Sequence, residues 1–181
     1  MRRNGFCAGI VAVVFSALAA FSTAEAQCTA TGAPASCNLS GSVSMTAGRV
    51  VLVQMSAGST TLASPTPADF DAGFNATTGP TLTVSANAAW TLHVRASTAL
   101  WTATNTSPGA PARTTKPAAD LEWSTSSGGT FTALTTSDAT LVGGSATASS
   151  ATTLFFQTLY AWTLDTPGNY SLSVILTLTS P

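Results

Sequence analysis

The chain has 181 residues and a formal net charge of −1, and only 7% of its residues are charged, against about a quarter in ordinary soluble domains. Six Lys and Arg residues in all cannot neutralise a run of phosphates, which argues against nucleic-acid binding. Thr, Ser and Ala carry the surface instead.

Residues 1–26 read as a secretory signal peptide. Arg2 and Arg3 form the positive start, residues 8–21 supply an apolar stretch, and Ala24-Glu25-Ala26 puts small residues where signal peptidase needs them. The apolar stretch is short for a spanning helix of about 20 residues. Cleavage before Gln27 leaves 155 residues and no membrane span, and predicts a secreted protein of the periplasm or cell surface. A chain of that length buries about 68–70% of its unfolded surface, enough for one domain with a core. Four basic residues (Arg49, Arg95, Arg113, Lys116) then face six acidic ones (Asp69, Asp71, Asp120, Glu122, Asp138, Asp165), a net charge of −2.

Cys7 departs with the leader, so Cys28 and Cys37 remain. An even pair in an exported chain predicts one disulfide, closing a small loop over residues 27–37. A ring that short adds only about 2–3 kcal/mol. There is no C-x-x-C spacing for redox work, and two thiols with one His elsewhere do not complete a zinc site.

From residue 38 to 181 the convincing periodicity is two, and no segment sustains a helical pattern. Strands are expected at 39–45, 49–55 and 81–85, then at 88–96, where Trp90, Leu92 and Val94 alternate with Thr91, His93 and Arg95. Further strands are expected at 121–124, 130–134 and 140–142. In 153–164, Leu154, Phe156, Tyr160, Trp162 and Leu164 share one face, and residues 170–178 alternate likewise as a closing strand. Between them, residues 65–80 and 104–120 each hold three prolines and read as loops. Residues 143–152 read as a small flexible connection, and Thr166-Pro167-Gly168-Asn169 as a tight turn. Eight to ten short strands with long crossings predict an all-β fold: an antiparallel β-sandwich, Ig-like or pilin-like, with Greek-key connections in a single domain over 38–181.

Catalytic parts are missing. His93 is the single histidine and lies on the strand face opposite Trp90, Leu92 and Val94, with no sequence sign of an orienting carboxylate or a polarising pocket. No enzymatic activity and no cofactor are expected. The pairs Asp69/Asp71 and Asp120/Glu122 lack the dense acid spacing of a calcium loop, and loop capping and strand-edge solvation account for both. Among the tryptophans, Trp90 and Trp162 share faces with Leu and Val and are expected in the core. Trp101 stands before the Pro-rich segment and is the candidate for exposure, and so for ligand or partner contact.

The triplets Trp90-Thr91-Leu92 and Trp162-Thr163-Leu164, the second within Tyr160-Ala-Trp162-Thr-Leu164-Asp-Thr-Pro167, resemble the paired signatures of WxL-domain proteins. The strand that follows, from Gly168-Asn-Tyr170 onward, resembles the closing strand of spore-coat-U-like and pilin-like secreted sandwiches. The resemblance spans residues 43–181. It implies a bacterial cell-surface protein with a structural or assembly role, partnering itself or other envelope proteins by adding strands to an open sheet edge. It also implies an alternative, a monomeric module that binds peptidoglycan or another glycan.

Overall fold

The computed structural model describes residues 29, 31–32, 37, 42–105 and 111–181. Residues Ala47–Pro181 form one compact unit, built as an all-β antiparallel sandwich. Cys28 and residues 1–26, where a signal peptide is expected, lie outside the described residues. Cys37 lies within them and is not a free thiol.

The strands, in chain order, are β1 (Val51–Met55), β2 (Phe74–Ala86), β3 (Trp90–Ala96), β4 (Thr102–Thr104), β5 (Leu121–Ser124), β6 (Thr132–Ala133), β7 (Ala139–Gly144), β8 (Thr147–Leu159), β9 (Asn169–Ser171) and β10 (Val174–Thr179). One sheet runs β1-β2-β8-β5-β6, the facing one β10-β3-β7, and β4 pairs with β9 in a small ribbon. Every strand pairing is antiparallel. The chain crosses between sheets repeatedly, so each layer is assembled from distant segments.

Period-two alternation produces the core directly. Leu82 and Val84 of β2, Leu121 and Trp123 of β5, and Leu154 and Phe156 of β8 point inward from the larger sheet. They meet Trp90, Leu92 and Val94 of β3 and Leu141 of β7 from the smaller one. The outward members of β3 are half-buried, and among them His93 sits in register between Thr177 of β10 and Thr140 of β7. In β2 the register slips between Thr78 and Thr81. Gly79 sits in that slip, where a Cβ would come within 2.6 Å of the Phe156 ring; only glycine lets this ring close over the strand.

Several expected boundaries are corrected. Ser42 to Met45 form no strand, and Val43 and Met45 are fully exposed. The Pro-rich stretch 65–80 is no simple loop: it holds helix α1 (Pro67–Ala72) and the first half of β2. The helix is dictated locally by Thr66 as N-cap, Pro67 in the first turn, and Asp69 completing a reciprocal capping box. Gly73 then takes the left-handed conformation that ends it, at φ 83°. Residues 143–152 belong largely to β7 and β8 rather than to a flexible connection, because the long β2–β8 ladder holds them.

Candidate functional site

The largest difference from the alternating pattern lies after Leu159. There β8 stops, and Ala161 to Asp165 fold into a turn. The Asp165 carboxylate accepts the Ala161 N–H at 2.8 Å, while the N–H groups of Leu164 and Asp165 donate to the Ala161 carbonyl. The Leu159 carbonyl, at the strand's end, accepts instead from Lys116 Nζ at 2.8 Å. Trp162 and Leu164 therefore leave the core face and are 59% and 53% exposed, which corrects the expectation that both pack inside.

Asp165 is the pivot of a buried charge cluster. Lys116 Nζ donates to Asp165 Oδ1 at 2.8 Å and to Asp120 Oδ2 at 3.1 Å, and Arg113 Nη1 reaches both carboxylates at 3.1 Å. Lys116 is only 2% exposed. Its three protons all find oxygen acceptors, so the ammonium is fully satisfied where an unpaired charge would be prohibitive. Burial by itself would raise the Asp165 carboxyl, but the hydrogen bonds from Lys116, Ala161 and Arg113 together hold it below its ordinary value of 3.8. The two cations and two carboxylates balance, so the cluster is neutral.

The same cluster folds back the Pro-rich segment and thereby corrects Trp101. Leu100 pairs with Pro117, the Trp101 N–H donates to the Lys116 carbonyl, and the indole Nε1 donates to the Pro117 carbonyl at 3.0 Å. Trp101 is 6% exposed: it is a core residue, held by the segment expected to leave it open. Tyr170 Oη bridges the two sides of this region, accepting from the Arg113 N–H and donating to the Thr166 carbonyl.

Both acidic pairs are occupied by protein partners. Asp69 caps α1, where the Thr66 N–H and hydroxyl hold its carboxyl below the usual value. Asp71 accepts the Trp162 Nε1–H at 2.9 Å. Asp120 belongs to the charge cluster, and Glu122 accepts from Gln157. No cluster of three potential metal ligands occurs among the described residues.

Two concavities flank this region, sharing Leu62, Trp101 and Tyr170 in their walls. The first is a groove of about 830 Å³ between residues 57–62 and the segment 170–176. Its floor is core: Leu121, Leu154 and Phe156, with Leu176 on one flank. Among the described residues, strand β10 is the outer strand of its sheet, paired only with β3, and residues 57–62 belong to no strand. Both flanks of the groove thus offer backbone that the ladders among the described residues leave unused. The second concavity, about 610 Å³, lies beside α1 and the 160–170 turn, bordered by Phe70, Tyr160 and Trp162 and floored by Thr158 and the charge cluster.

No protein-family model matches the chain, and no curated protein matches it significantly. Among the described residues, no helix is long and apolar enough to cross a membrane.

Proposed function

We propose that the protein is an exported, non-catalytic structural subunit of the bacterial surface or envelope, resembling WxL-domain and spore-coat-U-like proteins, that assembles with further copies of itself by strand addition. The groove between residues 57–62 and β10 carries this reading. It leaves the core side chains Leu121, Leu154 and Phe156 lining an opening beside β10, an outer strand among the described residues. An edge of that kind accepts a strand, whose main-chain hydrogen bonds supply affinity and whose alternate side chains fill the floor.

The occupant that fits is the segment around residues 39–45 of a second copy. It alternates Leu39, Gly41, Val43 and Met45 with polar residues, and Val43 and Met45 are exposed. Apolar residues at strand period, fully in water, are stabilised once a groove covers them. The leader, the low charge and the Thr/Ser-rich surface suit a subunit that functions outside the cell. Association driven by burial and backbone pairing survives salt that would screen an electrostatic contact.

Size-exclusion chromatography with light scattering tests this reading. The chain lacking residues 1–26 should elute as oligomers at both low and high salt, and a Val43→Asp/Met45→Asp double variant as a monomer. A wild-type chain that is monomeric in both salts, at concentrations up to about 1 mM, would refute it.

A further inference from the structure

Lys116 is the single lysine of the chain, and it is 2% exposed. We propose that its amine condenses with the Asp165 carboxyl into an intramolecular amide, with Asp120 as the catalytic base and acid. The product is a covalent tie between the segment before β5 and the turn after β8.

The reacting groups already touch. Lys116 Nζ stands 2.8 Å from Asp165 Oδ1, so the carboxyl carbon lies one bond further on. Asp120 Oδ2 is 3.1 Å from the same nitrogen. Arg113 Nη1 donates to Asp165 Oδ1 at 3.1 Å, and the Ala161 N–H donates to Asp165 Oδ2 at 2.8 Å. Each oxygen of the carboxyl under attack thus has a donor other than the lysine, which stabilises the negative charge that attack places there. The Tyr160 ring lies over Nζ, 5.3 Å from its centroid. Groups held this way react as fixed neighbours rather than by chance encounter in water.

Residue type adds a second argument. Arginine is the better cation for a buried ion pair, because its planar fork stays charged and matches carboxylates. Arg113 fills that role here, reaching both Asp120 and Asp165. Lysine differs in that its amine can lose a proton when desolvated and then act as a nucleophile. The one lysine of this chain stands against two carboxylates instead of in water.

Protons and charges balance throughout. At rest the pair is ionised, since its hydrogen bonds hold the Asp165 carboxyl below 3.8. Burial lowers the cost of passing one proton from Nζ to Asp165, which sets a neutral amine beside a neutral acid. Asp120 meanwhile keeps its charge against Arg113. The amine attacks the Asp165 carboxyl carbon. Asp120 takes a second proton from the nitrogen as the C–N bond forms, and returns it to the departing hydroxyl. One C–O bond breaks, one C–N bond forms, and one water leaves with no change of oxidation state. Lys116 and Asp165 both border the concavity beside α1, which gives that water an exit. The proton left on nitrogen can pair with the Leu159 carbonyl, which Nζ already contacts at 2.8 Å. Arg113 and Asp120 remain as a neutral pair, so no buried charge is stranded. The acid titration of Asp165 belongs to the chain before closure.

Peptide mapping of the purified, folded protein after reduction tests the bond. Chymotrypsin cuts between the two positions, after residues such as Trp123 and Phe156. A closed chain yields one branched peptide holding Lys116 and Asp165, lighter by one water than its two parts. Since no other lysine exists, an amine-reactive label applied to the unfolded protein should then find no side-chain amine. Lys116→Arg, which keeps the charge without the nucleophile, should abolish the branched peptide. Asp120→Asn should slow its appearance after synthesis by roughly a hundredfold or more. Lys116 recovered as a free amine from folded wild-type protein, after prolonged incubation at neutral pH, overturns the proposal. That result requires no variant to fold. A branched peptide that forms at the wild-type rate in Asp120→Asn overturns the role given to Asp120. Oligomeric state is read separately, so failure here leaves the assembly reading intact.

Discussion

The tripeptide Trp-Thr-Leu occurs twice in this protein and meets opposite fates. At residues 90–92 it lies in the middle of β3, with Trp90 and Leu92 at the centre of the sandwich and the Trp90 indole donating to the Ser145 carbonyl at 2.9 Å. At residues 162–164 it lies on a turn, with both apolar residues in solvent. Nothing inside the triplet accounts for the difference. The first copy has paired strands on both sides. The second follows a strand whose last carbonyl is claimed by Lys116, and beyond Tyr160 the Ala161 N–H is claimed by Asp165 and those of Leu164 and Asp165 by the turn it closes. A buried carboxylate three residues downstream of Trp162 thus decides whether an alternating pattern continues as a strand.

Substitution at the two tryptophans sharpens this contrast most. Trp90→Ala should leave a cavity against β2 and β7 and lower stability by about 3–5 kcal/mol. Trp162→Ala, losing one stacked ring and one exposed hydrogen bond, should cost no more than about 1 kcal/mol. Urea unfolding of both variants measures the difference, and equal losses would break the comparison.

Next in size is the cluster that makes the turn. Lys116→Ala leaves Asp165 and Asp120 facing Arg113 alone in a largely buried setting, and should cost about 3 kcal/mol, at the low end for a broken buried pair because Arg113 remains. A smaller effect follows from pH. The Asp165 carboxyl is held below 3.8 in the folded protein. Its contribution is therefore present above the unfolded value and is lost as pH falls through the folded one. Melting temperature should stay level from neutrality to about pH 4 on this account and fall below it. Asp165→Asn should be less stable at neutral pH and should flatten that acid limb.

What could be read from the chain follows the range of the forces involved. Strands β3 and β5 are legible because alternation is a local property that burial on one face enforces; the closing strand expected over 170–178 is instead split, residues 169–171 pairing with β4 as β9 and residues 174–179 forming β10. Helix α1 was also written locally, in Thr66-Pro67 with Asp69 and a closing Gly73, but six residues are too few to show a helical period. The burial of Trp101 and the exposure of Trp162 depend on Lys116 meeting Asp165 across 49 positions of sequence, a contact that no periodicity encodes. One signal was available. In a chain so poor in charge, Arg113, Lys116 and Asp120 fall within eight residues, and Lys116 and Asp120 have the i, i+4 spacing of a paired charge. Charges that the surface does not need for solubility are candidates for interior work.

The assembly reading rests on the groove between residues 57–62 and β10 receiving a strand, and backbone amide exchange reports on that event most directly. Exchange should be followed at residues 57–62 and along β10, in dilute protein and at concentrations where oligomers form. The account predicts that both flanks gain protection together on assembly, and that Val43→Asp/Met45→Asp removes the gain. Oligomers that form while both flanks exchange as fast as in the monomer would contradict it.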